Sequence, residues 1–479
     1  MDDLASLDAT ACAALVRTGQ VSPRQLVDAA IDRIDRHDGE LGAVIVRRFD
    51  QARREADGDL PDGPFRGVPI LIKDICAQVE GLPYAAGVRP LRQLGLRAAH
   101  DSYLVARLRQ AGFIILGKTN TSELGILPAA EPPAFPPSRN PYDLTRTTGG
   151  SSGGAGAAVA AGLVPIGHGN DGGGSIRIPA ACCGLFGLKP SRARVSLGPD
   201  LGDVNGGLVA EHVLTRSVRD SAAVLDVLAG PMPGDPYAAP PPRRPFAAEV
   251  GAPPGRLRIG FATRHLDTEA GVRPAHPTCV GAVEATARRL AALGHDVRPF
   301  EITALHDPEW TPRFLTLWAV GVAQELAEIE AVLGRALVDA DVEPLTAVLG
   351  ALGRGVPAPV YAAAWRWIHR ASRVIAASWD EIDLWLCPTV TTPPPRLGAF
   401  SSSPGDPLPA IFAAGEFAPF TAPFNATGQP AASVPVGHDG DGLPLAVQLV
   451  GGYGREDLLL QVASQLEADQ PFVHRATRR

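Results

Sequence analysis

A chain of 479 residues with 45% hydrophobic content can bury a large core, as one extended α/β unit or as two or three smaller ones. Its formal charge of −7 comes without a basic tail or a block of lysines, which argues against nucleic acid as the main partner. No run reaches the roughly 18 consecutive apolar residues of a membrane span, and the opening MDDLASLDATACAALV carries acids where a secretory signal needs a basic segment. A cytoplasmic protein with no membrane partner is expected.

In chain order, Ser22-Pro23 reads as a helix start, with Leu26, Ala29, Ala30 and Ile34 at helical spacing, followed by an extended run over 41–46. VPILIKDIC (68–76) is strand-like, and its period-two alternation turns Lys73 and Asp74 to opposite sides. A helical pattern over 103–112 stops at its glycine, and a short apolar strand over 113–116 enters GKTNTSELG (117–125). A small-residue helix over 153–161, a strand over 163–166 and a helix capped by Ser217 and running to 227 continue the alternation, which indicates a sheet covered by helices. The proline-rich stretch 231–245 reads as a surface crossing within one domain rather than a linker, because a strand begins again at 257–261. Helices over 279–293 and 314–333, strands over 382–387 and 444–450 and a closing helix over 456–466 complete the pattern, with no internal repeat.

Cys12, Cys76, Cys182, Cys183, Cys279 and Cys387 show no CxxC pair and no zinc-site spacing, so buried reduced thiols and no metal are expected. Of 44 basic residues only Lys73, Lys118 and Lys189 are lysines, a hint that a guanidinium does not serve at those three places. All six tryptophans, Trp310, Trp318, Trp365, Trp367, Trp379 and Trp385, fall in one stretch; they either line a pocket or pack helices on the core.

Two glycine-rich segments, TGGSSGGAG (148–156) and NDGGGSIRIPA (170–180), offer chemistry in combination with Lys73. Ser175 follows Gly172-Gly173-Gly174, where missing side chains let backbone N–H groups converge on a developing oxyanion, although the same run could simply form a tight turn. Burial would depress the Lys73 pKa and leave an amine able to take a proton; a core lysine paired with an acid is the plainer alternative. Ser151, between glycine pairs, could shuttle a proton from serine to lysine, or the segment could be a phosphate-binding loop or a helix entry. A P-loop proper lacks its Lys-Ser/Thr ending here.

These segments resemble the amidase signature family, and the resemblance covers essentially the whole chain: GPFRGVPILIKD (63–74), GKTN (117–120), SRNPYD (138–143), GGSSGG (149–154), GSIRIPA (174–180), GLKPSRARVS (187–196) and FNATGQPAASVPVG (424–437). It implies an α/β fold, a mixed, largely parallel central sheet with helices on both faces, in a single domain over 1–479. The signature core would span about 63–235 and a variable, substrate-facing helical region about 300–380. It further implies a Ser-cisSer-Lys triad with Lys73 as base, Ser151 as the cis-peptide serine and Ser175 as the acylated nucleophile. Backbone N–H groups of Gly172, Gly173, Gly174 and Ser175 would form the oxyanion hole, and Asp171 and Arg177 would brace the loop. The implied reaction converts a small-molecule amide to an acid and an amine or ammonia, without metal or organic cofactor; homodimers are common in the family.

Within the family, residues 117–125, 168–180 and 452–467 look most like the branch that hydrolyses cyclic amide oligomers. Bulky Trp318 in FLTLWAVGV (314–322) and the Gly172-Gly173 pair depart from that branch and point instead to linear or hydrophobic amides. An amidotransferase subunit that acts on tRNA usually carries DEF after GKTN, where Ser122-Glu123-Leu124 stands here. A noncatalytic binding protein would be expected to have lost Lys73, Ser151 or Ser175. Asn120 with Thr119, Phe420, Phe424 and Asn425 are further candidates for shaping the substrate site, and Cys387 reads as a structural thiol.

Overall fold

The computed structural model describes residues 3–267 and 271–474. Its frame is an eleven-stranded sheet. In chain order the strands are β1 (Val44–Arg47), β2 (Pro69–Lys73), β3 (Ile114–Thr119), β4 (Ile166–Asp171), β5 (Phe186–Lys189), β6 (Ala210–Thr215), β7 (Arg258–Phe261), β8 (Asp296–Pro299), β9 (Leu384–Pro388), β10 (Ala431–His438) and β11 (Pro444–Gly451). Their spatial order is β1-β3-β2-β4-β6-β5-β10-β11-β9-β7-β8. The sheet is mixed, and its parallel pairs form two blocks, β3-β2-β4 and β9-β7-β8, joined through antiparallel pairs in the middle.

Side-chain alternation divides the core into two layers. Ile70 and Ile72 of β2, Leu384 and Leu386 of β9 and Val447 and Leu449 of β11 pack on one face. Leu71, Trp385, Cys387 and Val450 pack on the other, together with Trp318, Ile178 and Phe424. Each fully buried Leu or Ile in these layers contributes about 1.5–3 kcal/mol, and helices cover both faces, as the αβα expectation requires.

The third helix of the chain shows how local signals set the boundaries. Pro23–Leu41 begins with a capping box between Ser22 and Gln25 and ends where Gly42 turns left-handed (φ 62°). Leu41 therefore stays helical, and the strand expected over 41–46 starts at Val44. A larger shift concerns the strand expected at 163–166. Leu163 and Val164 lie in a turn, and the strand is Ile166–Asp171, built from IGHGND. Such a small, polar strand is stable in mid-sheet because the helix Gly153–Ala160 sits directly on it: a Cβ on Gly167 would lie 3.2 Å from Ala155 Cβ and Val159 Cγ2.

The proline-rich crossing after the helix Val218–Leu228 is held down by backbone pairing of Ala239 to Ala193 and by Arg194 donating to the Pro240 carbonyl at 2.5 Å. The helices Trp310–Leu333, Pro344–Arg354 and Ala358–Ala376 form the aromatic-rich layer, and the chain returns through Glu456–Asp469. Among the described residues no helix is long and apolar enough to cross a membrane, and no cluster of His, Cys, Asp or Glu could hold a metal ion.

Candidate active site

The ends of β2 and β4, the glycine-rich turn after β4 and the glycine- and serine-rich turn before the helix Gly153–Ala160 bring the sequence candidates together. Lys73, the last residue of β2, is fully buried, and its Nζ lies 2.6 Å from Ser151 Oγ and donates to Asn170 Oδ1 at 2.5 Å. Burial lowers the Lys73 pKa to about 8 from an ordinary 10.5, against the opposing influence of Cys76, Glu211 and Asp171. Asp74 faces the other way, as alternation requires, and pairs with buried Lys118 at 2.5 Å. The third lysine, Lys189, is also buried and donates to the Pro190 carbonyl at 2.8 Å; desolvation lowers its pKa to about 7. All three lysines of the chain are thus interior groups, where a compact ammonium on a flexible stem fits and a planar guanidinium with five donors would leave hydrogens unpaired.

The Gly150–Ser151 peptide is cis. The serine-rich turn leads into the helix Gly153–Ala160, and Gly154 is required there because a Cβ would fall 2.5 Å from the Asn120 backbone nitrogen. Ser152 joins this turn to the next: its N–H donates to the Ser175 carbonyl at 3.3 Å and its hydroxyl to the Asn170 carbonyl at 3.2 Å.

The turn carrying Ser175 is organised around one ion pair. Arg177 binds Asp171 bidentately, Nε to Oδ2 at 2.9 Å and Nη2 to Oδ1 at 2.8 Å, with both side chains fully buried. Asp171 also accepts from the backbone N–H groups of Gly174 (2.7 Å) and Ile176 (3.2 Å). Burial alone would raise the Asp171 pKa, but the Arg177 charge and hydrogen bonds, aided by Lys189 and Asn425, hold it below the ordinary carboxylate value. The remaining Arg177 donors reach Thr421 O (2.9 Å), Gln448 Oε1 (2.8 Å) and Asn425 Oδ1 (2.6 Å). A desolvated ion pair of this kind holds only when its other hydrogens are satisfied, and here they are.

This arrangement corrects one expectation. The Gly174 N–H points into the Asp171 carboxylate and is not free to meet an oxyanion. Gly172, Gly173 and Ser175 keep N–H groups without a protein acceptor among the described residues.

Above Ser175, which is 9% exposed, opens a cavity of about 200 Å³. Its walls are mainly apolar, with Ile126, Leu127, Ile178, Phe314, Trp318 and Phe420 among them, and Arg264, His265, His306 and Glu416 also lie on the lining. Of the six tryptophans, Trp310, Trp318 and Trp385 line this cavity, while Trp365, Trp367 and Trp379 pack elsewhere. Phe314 and Trp318 stack with ring centroids 5.4 Å apart and cover the glycine turn: a Cβ on Gly172 would be 3.2 Å from Trp318 Cη2.

The other candidates have supporting positions. Asn425 is buried, with its amide donating to Asp171 O, Asp171 Oδ1 and Leu208 O at 2.7–3.0 Å, so it braces the turn rather than facing the cavity. Asn120 ties loop carbonyls of Pro136 and Ala130 to Ser138, and Phe424 packs 5.8 Å from Trp385 beneath the wall. Cys387 is buried and accepts from Gln448 at 3.2 Å. All six cysteines are free.

A second set of residues escaped the sequence reading. His168 Nδ1 accepts from the Lys73 backbone N–H (3.2 Å), so His168 Nε2 carries the proton facing Glu211 Oε2 at 2.5 Å. Asn170 donates to Glu211 Oε1 at 3.3 Å while accepting from Lys73. Nothing local in the HGND run reveals that β6 pairs beside it and brings Glu211 opposite Asn170.

Known proteins share this sequence pattern and fold. A family model for amidases matches residues 25–460. A 6-aminohexanoate-cyclic-dimer hydrolase from Paenarthrobacter ureafaciens is 42% identical over 98% of this chain and 96% of its own length. The structure of a 6-aminohexanoate cyclic dimer hydrolase complexed with substrate superimposes with a TM-score of 0.94 at 41% identity, covering 99% of both chains. A bacterial aryl acylamidase of the amidase signature enzymes superimposes with a TM-score of 0.84 at 26% identity over 97% of this chain and 96% of that one.

Proposed function

The chain belongs to the amidase family and is an amide-hydrolysing enzyme, and from that premise we propose that it cleaves an uncharged, largely apolar amide through a Ser175–Ser151–Lys73 relay. The observation that carries this reading is the buried Lys73 amine, 2.6 Å from Ser151 Oγ and softened to a pKa of about 8, beneath a cavity onto which Ser175 opens.

Ser175 Oγ attacks the amide carbon while its proton passes to Ser151 Oγ and the Ser151 proton passes to neutral Lys73 Nζ. The oxyanion forms beside the N–H groups of Gly172, Gly173 and Ser175. Collapse returns the proton through Ser151 to the departing nitrogen, which leaves as amine or ammonia. Water then attacks the Ser175 ester, its proton follows the same path to Lys73, and the carboxylic acid departs as Ser175 regains its hydrogen. Asn170, His168 and Glu211 hold Lys73 in place throughout.

Aromatic and aliphatic walls favour an apolar acyl or amine group. A second reading, hydrolysis of a 6-aminohexanoate cyclic dimer, is favoured by the 42% identity to the hydrolase that acts on it. Against it stands Trp318, whose indole occupies cavity space over the glycine turn. Six free cysteines support a reducing, cytoplasmic setting.

Amine release and intact-protein mass over short aliphatic amides, aryl amides and linear and cyclic 6-aminohexanoate oligomers test the proposal. Turnover that disappears in Ser175→Ala, with an acyl adduct on the parent protein, is the expected result. Turnover that survives Ser175→Ala removes the relay, and a preference for the cyclic dimer selects the second reading.

A further inference from the structure

Thr421 joins the wall of the cavity to the turn that carries Ser175. It is fully buried, at the junction between the cavity-lining residues Pro419 and Phe420 and the short helix Ala422–Thr427. Its hydroxyl donates to the Gly173 carbonyl at 2.6 Å and lies 3.0 Å from the Ala418 carbonyl, and its own carbonyl accepts from Arg177 at 2.9 Å.

The Gly173–Gly174 peptide is therefore held at both ends. Its C=O is taken by Thr421, and its N–H by Asp171 Oδ1 at 2.7 Å. Gly174 has φ 137°, and a Cβ there would sit 2.5 Å from Thr421 Oγ1 and 2.6 Å from Ile178 Cδ1, so the contact requires glycine. A fixed plane at this position restricts the two peptides on either side of it, which carry the N–H groups of Gly173 and Ser175, and neither of those N–H groups has a protein acceptor among the described residues. Loss of the Thr421 hydroxyl frees the Gly173 carbonyl and with it ψ of Gly173 and φ of Gly174, the torsions that set how the neighbouring peptides carrying those N–H groups are oriented to each other. Preorganised donors act only if they already stand where charge develops, because reorientation during the reaction cancels much of their benefit.

We propose that Thr421 is a positioning residue that sets the oxyanion-binding N–H groups by clamping the Gly173–Gly174 peptide from the cavity wall. This rests on the reading of Ser175 as nucleophile given above. The clamp acts on the transition state and leaves ground-state binding of an apolar amide almost untouched, so its loss appears in kcat rather than in KM.

The test compares Thr421→Val, which keeps the shape and loses the hydroxyl, with Thr421→Ser, which keeps the hydroxyl, using the best amide of the panel and a trifluoromethyl ketone that forms a tetrahedral oxyanion adduct on serine. Removing a whole oxyanion donor lowers kcat by about 10²–10³, so Thr421→Val is expected to lower kcat roughly tenfold or more with KM changed by less than about threefold. Ketone affinity should fall in parallel with kcat, and Thr421→Ser should restore both. Thr421→Cys, with similar shape and a weaker donor, serves the same comparison if the valine protein does not fold. An unchanged kcat, a serine variant as impaired as the valine variant, or a loss confined to KM overturns the clamp. Activity that survives Ser175→Ala overturns instead the nucleophile assignment beneath it, so the two failures are told apart.

Discussion

The Ser175 turn and the helical layer above it are built on opposite principles. The turn is polar and buried, and the ion pair at its centre is fully hydrogen-bonded: Asp171 and Arg177 sit at zero exposure and every one of their bonds has a named partner. The layer formed by Trp310–Leu333, Pro344–Arg354 and Ala358–Ala376 meets the cavity through ring stacking and van der Waals contact, and leaves Val332, Leu352 and Val374 half exposed. Directional bonds fix positions to a fraction of an ångström and tolerate no loss of a partner. Apolar contacts fix volume and permit exchange among side chains of similar size. On the proposed reading, chemistry and selectivity are carried by parts that can vary independently.

Breaking the polar side should give the largest effects. Lys73→Met is expected to lower kcat by about 10⁴-fold or more, as removal of a catalytic-triad member does; amine-release rates against the preferred amide check it, and a loss below tenfold would remove Lys73 from the relay. Arg177→Met leaves the buried Asp171 carboxylate unpaired and should cost about 3–5 kcal/mol of stability, measured by urea unfolding. A cost under about 1 kcal/mol would mean that Asn425 and the backbone N–H groups suffice to hold Asp171.

The pH profile sharpens the same side. Only neutral Lys73 accepts a proton, so kcat/KM should climb about tenfold per pH unit below about 8 and level off above it. Stability moves in the same direction: between about 8 and the ordinary lysine value of 10.5 the unfolded chain binds the proton and the folded protein does not, so folding gains as pH rises through that window. A kcat/KM that is flat from pH 6 to 9 would contradict the assignment.

Changes on the apolar side should be smaller and selective. Trp318→Leu, which opens the wall over Gly172, is expected to raise kcat/KM for a bulky or cyclic amide relative to a small linear one by about 10-fold, with the small-amide kcat nearly constant. An equal loss on every substrate would place Trp318 with the polar turn instead.

How much of this could be read from the chain follows the same division. GGSSGG, GSIRIPA and the strand ending in Lys73 are local, because a turn that must pass backbone close to backbone demands glycine in consecutive places. Gly154 and Gly174 show why: a Cβ at either would fall 2.5 Å from a neighbouring atom. The strand Ile166–Asp171 was not legible as a strand, since IGHGND has one β-branched residue, Ile166, and no clean alternation, and its place depends on a helix of small residues pressed against it. Asn425 illustrates the converse. Its proximity to the cavity segment suggested substrate contact, yet its amide is consumed by Asp171, 254 positions away.

By itself the sequence determined the helix caps, the two-faced strands, the glycine turns and the three interior lysines, because each depends on neighbours within a few residues or on one side chain's size and charge. Only the tertiary structure decided which N–H groups remain free at the Ser175 turn, that Glu211 and His168 stand behind Lys73, and that Thr421 grips Gly173. Those contacts join strands and turns tens to hundreds of residues apart, and their geometry exists only once sheet order and register are set.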